Sequence, residues 1–342
     1  MLLKEKSTTT IHSIPDPNDL LSQLRSSFSF GEDSRCLYYE RGSSDLYKIY
    51  TSRENYFVRL TRAGTRSEAN IDAEIDFLKF CNFNGVLVSN PICDVEGIIV
   101  QQIQTPEGAR PATIFPEVAG NSISKPLPKQ LENFGRQLAI FHLQANRYPL
   151  NEDIPIYDLD TCLKKSVKVI GEFLRQRPEI REHGIFFQNL TLNLIKKLRG
   201  LPLDQFSWGA IHGDFIYSNF KANSNNDITL YDFERLGYGW RAFEISTYIG
   251  HLISGRQVAD PIKLYTQVRD CFLRGYESIV ALSESEKSAL PLLYQMQRIW
   301  MKSECCERFI DWSSSFMNMS SWAQSVRKHK AWARILCKMD GV

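Results

Sequence analysis

Residues 211–220 read IHGDFIYSNF, and after a polar, turn-rich run residues 231–234 read YDFE. His212, Gly213, Asp214 and Asn219 therefore fit H-G-D-x-x-x-x-N, and Asp232 opens a D-F-E triplet. Transfer of a phosphoryl group from a nucleotide asks for these residue types in this order. A carboxylate must orient an attacking hydroxyl and take its proton, while an amide oxygen and a second carboxylate hold the metal ions that bridge the phosphates. Asp214 fits the base, and Asn219 and Asp232 fit the metal ligands. The intervening FKANSNNDITLY turns at Asn223 to Asp227 as a hairpin would, which sets Asn219 beside Asp232. Hard oxygen donors imply Mg²⁺ rather than a transition metal. His212 is expected to brace the loop through hydrogen bonds, because Asp214 already fills the role of base.

Upstream of this segment the texture is different. Residues 1–30 are polar, with one helical stretch, DLLSQLRSSF, in which Leu20, Leu21 and Leu24 recur at helical spacing; they read as an arm or leading helix. From Cys36 aromatic and β-branched residues alternate between turns, and LYYE, LYKIYT and YFVRLT predict a three-strand antiparallel meander. TRSEANIDAEIDFLKFC predicts a helix, with Thr65 and Glu68 as a capping box and Ile71, Ile75 and Leu78 as its apolar stripe. GVLVSNPI and GIIVQQI predict further strands, and ATIFPEVAG, with Pro116 and Gly120, a crossing point. From Leu127 onward helical patterns dominate: PKQLENFGRQLAIFHLQA, TCLKKSVKVIGEFLRQ, FFQNLTLNLIKKLRG, and the run from about Phe243 to the end. The fold class is therefore α+β, with an arm over 1–30, a β-rich portion over 31–116 and a helical portion over 117–342.

The chain has 342 residues, 43% of them hydrophobic and 23% charged, with a formal net charge of +2. That excludes disorder and fibrous architectures and leaves room for one large or two ordinary domains. A nearly balanced charge gives no field for nucleic acid or an anionic membrane, so the expected partner is a small molecule. No apolar run approaches membrane-spanning length, no apolar core follows the first lysines, and a cytoplasmic location is expected. The 8 cysteines show no C-x-x-C spacing and read as reduced, mostly buried thiols, Cys305 and Cys306 included.

The H-G-D and D-F-E motifs, continued by GYGWRAFE from Gly237 to Glu244, resemble those of the aminoglycoside phosphotransferase and choline kinase-like enzymes, small-molecule relatives of the protein kinases. Glu244 stands where the family pattern has Asp, at a position expected to be structural. The resemblance implies a protein-kinase-like two-lobed fold, with a small antiparallel β-rich lobe, a larger helical lobe and the nucleotide in the cleft between them. It also implies further site residues. Gly42, Ser43 and Ser44, in RGSSDLYKIY, would lay backbone N–H groups over the nucleotide. Arg59 would hold the phosphates with Glu74 as its ionic partner, and Lys48 is a second candidate. Backbone groups from Glu117 to Ala119 would meet the adenine edge. The implied cofactors are ATP or GTP and Mg²⁺.

The implied reaction moves the γ-phosphoryl group to a hydroxyl of an antibiotic-like small molecule, with a primary metabolite such as homoserine or choline as the alternative. The acceptor is expected to bear an amine, met by acids such as Glu152, Asp153 or Asp158, and the chain to act as a monomer or homodimer. A protein-substrate kinase fits less well, because the stretch from Asp232 to Glu244 is too short for a peptide-docking activation segment. A catalytically silent regulator is disfavoured by the intact Asp214, Asn219 and Asp232. His142 is expected to be a packed, hydrogen-bonded side chain, and the tryptophans of the last helices to be core.

Overall fold

The structure, a computed structural model, describes residues 8–254, 256, 258–308 and 319–339, without the side chains of 308, 319–321 and 333–339. Residues 1–7 of the expected arm, Trp312 and the Cys337 thiol lie outside the described residues. The chain divides into two compact units, Met1–Lys79 with Ser89–Val118, and Phe80–Val88 with Ala119–Val342.

The first unit is built on a five-stranded antiparallel sheet. Its strands are β1 (Arg35–Arg41), β2 (Asp45–Tyr50), β3 (Asn55–Leu60), β4 (Val100–Thr105) and β5 (Gly108–Pro116), in the order β1-β2-β3-β5-β4. The expected meander is its first half. Period-two alternation puts Tyr47, Ile49, Val58, Leu60, Ala112 and Ile114 into one apolar cluster. Helix α1 (Pro17–Arg25) covers that cluster with Leu20, Leu21 and Leu24. It starts where it does because Asp16 caps it, accepting the N–H of Asn18 at 2.8 Å, with Pro17 at the first helical position.

Helix α2 (Glu68–Phe83) carries the expected stripe, with Ile71, Ile75 and Leu78 buried. Its cap differs from the expected one. Ser67 and Asn70 cap each other reciprocally, at 3.1 and 3.3 Å, while Thr65 bonds the Arg62 carbonyl and Glu68 accepts from Gln102. GVLVSNPI is not a strand. Gly85 turns with φ +77° and Pro91 has no N–H to donate, so only a bridge at Val88 to Leu230 forms.

The second unit is mainly helical: α3 (Pro128–Ala145), α4 (Ser166–Arg175), α5 (His183–Arg199), α6 (Arg241–Ile253), α7 (Pro261–Glu277), α8 (Glu284–Arg308) and α9 (Met319–Met339). The expected helix over 161–176 opens with a π-helical segment, Asp160–Lys165, that runs into α4. Helices α3 and α7 pack almost backbone to backbone. A Cβ at Gly135 would sit 2.1 Å from the Phe272 carbonyl oxygen, and one at Gly275 would sit 1.7 Å from that of Glu132. Trp300 packs on Tyr157, Trp322 on Phe173 and Phe187, and Trp332 on Tyr294. The described tryptophans of α8 and α9 are therefore core.

Short strands interrupt the helices to carry the H-G-D segment. β6 (Ile156–Tyr157), β7 (Trp208–Ile211) and β10 (Gly237–Trp240) form one sheet, and β8 (Phe220–Ala222) and β9 (Ile228–Leu230) form a two-stranded hairpin. The α+β class holds: an antiparallel sheet unit is followed by a helical one.

Candidate active site

The hairpin does what its turn residues predict. Phe220 pairs with Leu230 and Ala222 with Ile228, so the Tyr231 N–H reaches the Asn219 carbonyl at 3.0 Å. Asn219 and Asp232 therefore leave the hairpin base on neighbouring strands. Asp232 is exposed and left-handed, with φ +63°, and leads into a 3₁₀ turn over Phe233–Arg235. Aspartate tolerates that conformation better than most residues, but it still stores on the order of 1 kcal/mol of strain.

Asp214 is 8% exposed, at the end of the loop after β7. Its Oδ2 accepts from the Asn219 amide at 3.3 Å and from the Arg235 guanidinium at 3.2 Å. No donor among the described residues bonds its Oδ1. Asn219 also donates to the Asp214 carbonyl at 2.9 Å, which orients the amide so that Oδ1 is its remaining polar atom, met among the described residues by the Ser218 hydroxyl alone, at 3.4 Å. The loop is held from beneath. His212 is fully buried, with Nε2 on the Tyr231 carbonyl at 2.9 Å and Nδ1 accepting the Asp214 N–H at 3.3 Å. Both ring nitrogens serve the loop.

Gly213 could be no other residue. Its φ is +79°, and a Cβ there would lie 1.9 Å from the Arg235 carbonyl oxygen. Its N–H donates to Glu244 Oε1 at 2.7 Å. Glu244 Oε2 meets His142 Nε2 at 2.7 Å, and His142 Nδ1 meets the Tyr276 hydroxyl at 2.7 Å. Burial pushes the Glu244 carboxyl up to about 7, against the loop N–H groups and Arg241, which favour its charged form. Burial, with Arg241, holds His142 well below its ordinary value, so the imidazole is neutral. When Glu244 is ionised, Nε2 carries the proton that it accepts and Nδ1 accepts from Tyr276.

In the first unit the structure brings Arg59 and Glu74 together. Their bond is bidentate, 2.8 and 2.9 Å, with both side chains buried. Arg66 adds a third bond to Glu74 at 2.6 Å. Burial raises the Glu74 carboxyl, and the two guanidiniums more than reverse this, holding it below the ordinary carboxylate range. Two guanidiniums thus converge on one buried carboxylate. Lys48 is engaged elsewhere, by Glu117 at 2.8 Å.

The remaining candidates fall in turns. Gly42, Ser43 and Ser44 link β1 to β2, and the Gly42 N–H donates to the Ser44 carbonyl at 3.0 Å. At Gly42 the expected covering contact therefore cannot be made by that N–H unless the turn opens. Glu117 uses its N–H on the Asn55 carbonyl at 2.8 Å, which leaves the adenine-edge contact to other backbone groups of the 117–119 run, Ala119 included. Of the acids considered for an amine, Asp158 caps the π-helical segment through the Thr161 N–H at 2.8 Å, and Glu152 and Asp153 are exposed on a loop.

Asn219 and Asp232 offer one amide and one carboxylate oxygen, a set suited to a hard divalent cation. Among the described residues no group of three or more His, Cys, Asp and Glu side chains could cage a metal ion. Two protein ligands are what a cation completed by phosphate oxygens requires.

Sequence reasoning missed Arg235 and Arg66. Arg235 directly follows the D-F-E triplet, and a cation three residues after the candidate metal ligand Asp232 was the available signal.

A family model described as "Phosphotransferase enzyme family" matches residues 39–279. An uncharacterized protein of Synechocystis sp. is 29% identical over 85% of this chain and 78% of its own. Among solved structures, an amicoumacin kinase in complex with AMP-PNP, Ca²⁺ and Ami matches with a TM-score of 0.73, covering 93% of each chain at 16% identity. A microcompartment-associated aminopropanol kinase matches with a TM-score of 0.69, over 92% of this chain and 95% of its own, also at 16% identity. These likenesses give the two units a kinase-like fold. With the family model spanning most of the chain, it belongs to the phosphotransferase enzyme family and is a small-molecule kinase whose acceptor is a hydroxyl group.

Proposed function

We propose that the chain transfers the γ-phosphoryl group of ATP to a hydroxyl of a small molecule, with Asp214 as the base. The observation that carries this is the asymmetric Asp214 carboxylate: Oδ2 is tied by Asn219 and Arg235, and Oδ1 is left for the substrate. The acceptor hydroxyl donates to Oδ1, its oxygen attacks the γ-phosphorus, the bond from phosphorus to the β–γ bridging oxygen breaks, and the proton passes to Asp214 as ADP leaves.

Asn219 Oδ1 and the Asp232 carboxylate would hold Mg²⁺, which when bound would neutralise phosphate charge. Arg59, oriented by Glu74 and accompanied by Arg66, supplies the cationic fork for the nucleotide phosphates. Ser43 and Ser44 lie in the turn assigned to phosphate covering, and Glu117 to Ala119 in the run assigned to adenine. The arginine fork in place of a lysine point charge favours a bidentate phosphate contact.

The test is Mg²⁺-dependent ADP release from the purified protein with ATP, across hydroxylated antibiotics, choline, ethanolamine, homoserine and a generic protein substrate. Acceptor-dependent turnover that vanishes in Asp214→Ala supports the proposal. Turnover on the protein substrate alone, or nucleotide binding with no acceptor effect, contradicts it.

A further inference from the structure

Helix α8 carries two cations one turn apart that have no ion pair among the described residues. Arg298 has only marginal contacts, Nη1 lying 3.5 Å from both the Ser254 and Tyr294 hydroxyls, and its buried Nε donates to nothing. Lys302 is 7% exposed, with its ammonium 4.4 Å from the centre of the Trp322 ring and no hydrogen bond or ion pair among the described residues. On the same helix Gln295 is fully buried with neither amide atom bonded, and on α9 His329 Nδ1 and Trp322 Nε1 are likewise buried and unbonded. Lys328, half-buried on α9, also lacks an ion pair among the described residues.

Arg298 reaches Ser254 at the end of α6, the helix that also carries His251. His251 of α6 packs its ring 5.4 Å from Tyr217, in that loop. Burial lowers its basicity, Asp214 raises it, and Arg298 and Lys328 lower it, so the imidazole feels the proposed base and the cations together. Burial and Arg298 lower Lys302, with the Cys305 and Cys306 thiols as the opposing influence. Burial, Arg298 and Lys302 lower His329. A buried cation without a counter-charge is strongly unfavourable, and the remedy available here is an anion that arrives with a ligand.

We propose that Arg298, Lys302 and Lys328, with His251 beside Tyr217, form the subsite for an anionic group of the acceptor, so that the hydroxyl compound phosphorylated here carries a carboxylate or a phosphate. This rests on Asp214 being the base that receives the acceptor hydroxyl. It replaces the amine-bearing acceptor expected from sequence, for which the structure offers Asp158 engaged in a cap and two acids on an exposed loop.

The experiment is calorimetric titration of the full chain with 4-hydroxybutyrate, glycerol 3-phosphate, neutral 1,4-butanediol and cationic ethanolamine. Wild type is compared with Arg298→Gln and Lys302→Met, and each compound is also assayed for ADP release. At least one anion is expected to bind tenfold or more tightly than the diol, and each variant to weaken that binding about tenfold, the effect of one charged hydrogen-bond partner. Which anion binds separates carboxylate from phosphate. Lys302→Met also removes a buried unpaired charge, so its melting temperature is expected to rise, and AMP-PNP binding serves as a folding control.

The subsite is overturned if neither anion binds, if the diol or ethanolamine binds as tightly as the anions, or if the variants keep full anion affinity. It is also overturned if they weaken only nucleotide binding. Variant-sensitive anion binding without ADP release upholds the subsite and counts against phosphoryl transfer. Turnover of ethanolamine with no anion binding does the reverse.

Discussion

Glu244 Oε1 accepts the Gly213 N–H at 2.7 Å, so the loop that presents Asp214 hangs from a carboxylate on the first turn of α6. The same carboxylate meets His142 on α3 through its other oxygen. One side chain thereby ties the H-G-D loop to two helices, and its ionisation is coupled to the stability of the unit.

The Glu244 carboxyl is raised from 4.5 to about 7, chiefly by burial. Between those values the folded state keeps a proton that the unfolded chain has released, so this group's contribution is full below 4.5 and is lost as pH rises to about 7. The raised value corresponds to a loss of about 3 kcal/mol at most. His142, depressed by burial, runs the other way: its contribution is present above its ordinary 6.5 and is lost as pH falls. Denaturant unfolding of Glu244→Gln against wild type at pH 5 and pH 8 isolates the glutamate. The destabilisation of the variant is expected to be larger at pH 5 than at pH 8, and an equal difference at both pH values argues against a raised carboxyl.

Gly213→Ala forces a Cβ to within 1.9 Å of the Arg235 carbonyl oxygen, at a φ of +79°. Both the loop and the Arg235 turn must move. The left-handed strain alone costs about 1–2 kcal/mol, and the clash adds to it. A melting-temperature loss of several degrees with a hundredfold or greater fall in kcat is expected; near-wild-type kcat argues against a loop fixed by this contact.

Removing one partner from a buried ion pair costs about 3–5 kcal/mol, against roughly 0–1 for an exposed one. Arg59→Met leaves Glu74 with Arg66 alone and is expected to fall toward the lower part of that buried range. Arg59→Lys keeps the charge but loses the two-pronged bond of 2.8 and 2.9 Å. Its KM for ATP is expected to rise about tenfold with a smaller change in kcat, measured by coupled assay at saturating acceptor.

Arg235→Met withdraws one of the two donors on Asp214 Oδ2. A tenfold to hundredfold fall in kcat is expected with the KM for ATP little changed, because the lost contact orients the proposed base. A rise in that KM with kcat intact indicates that Arg235 serves the nucleotide instead.

Local patterns made much of this legible. The H-G-D and D-F-E spacing, the Asn-rich turn between them and the leucines of α1 are all signals within one element or one hairpin. The Arg59–Glu74 pair was reached through family resemblance, and the structure shows it bidentate and buried. What escaped depends on chain segments far apart in sequence. Glu244 and His142 meet across 102 positions, and nothing in either helix marks the pairing. The α2 cap moved from Thr65 to Ser67 because both positions offer a hydroxyl three residues before a suitable partner. GVLVSNPI has the apolar content of a strand, but Gly85 and Pro91 break its ladder.

The most direct measurement is acceptor-dependent ADP release by wild type and Asp214→Asn, with AMP-PNP affinity determined on both. The expected result is at least a thousandfold loss of turnover in the variant with nucleotide affinity within a few-fold of wild type. Acceptor-dependent turnover retained within tenfold by Asp214→Asn would contradict the assignment of Asp214 as the base.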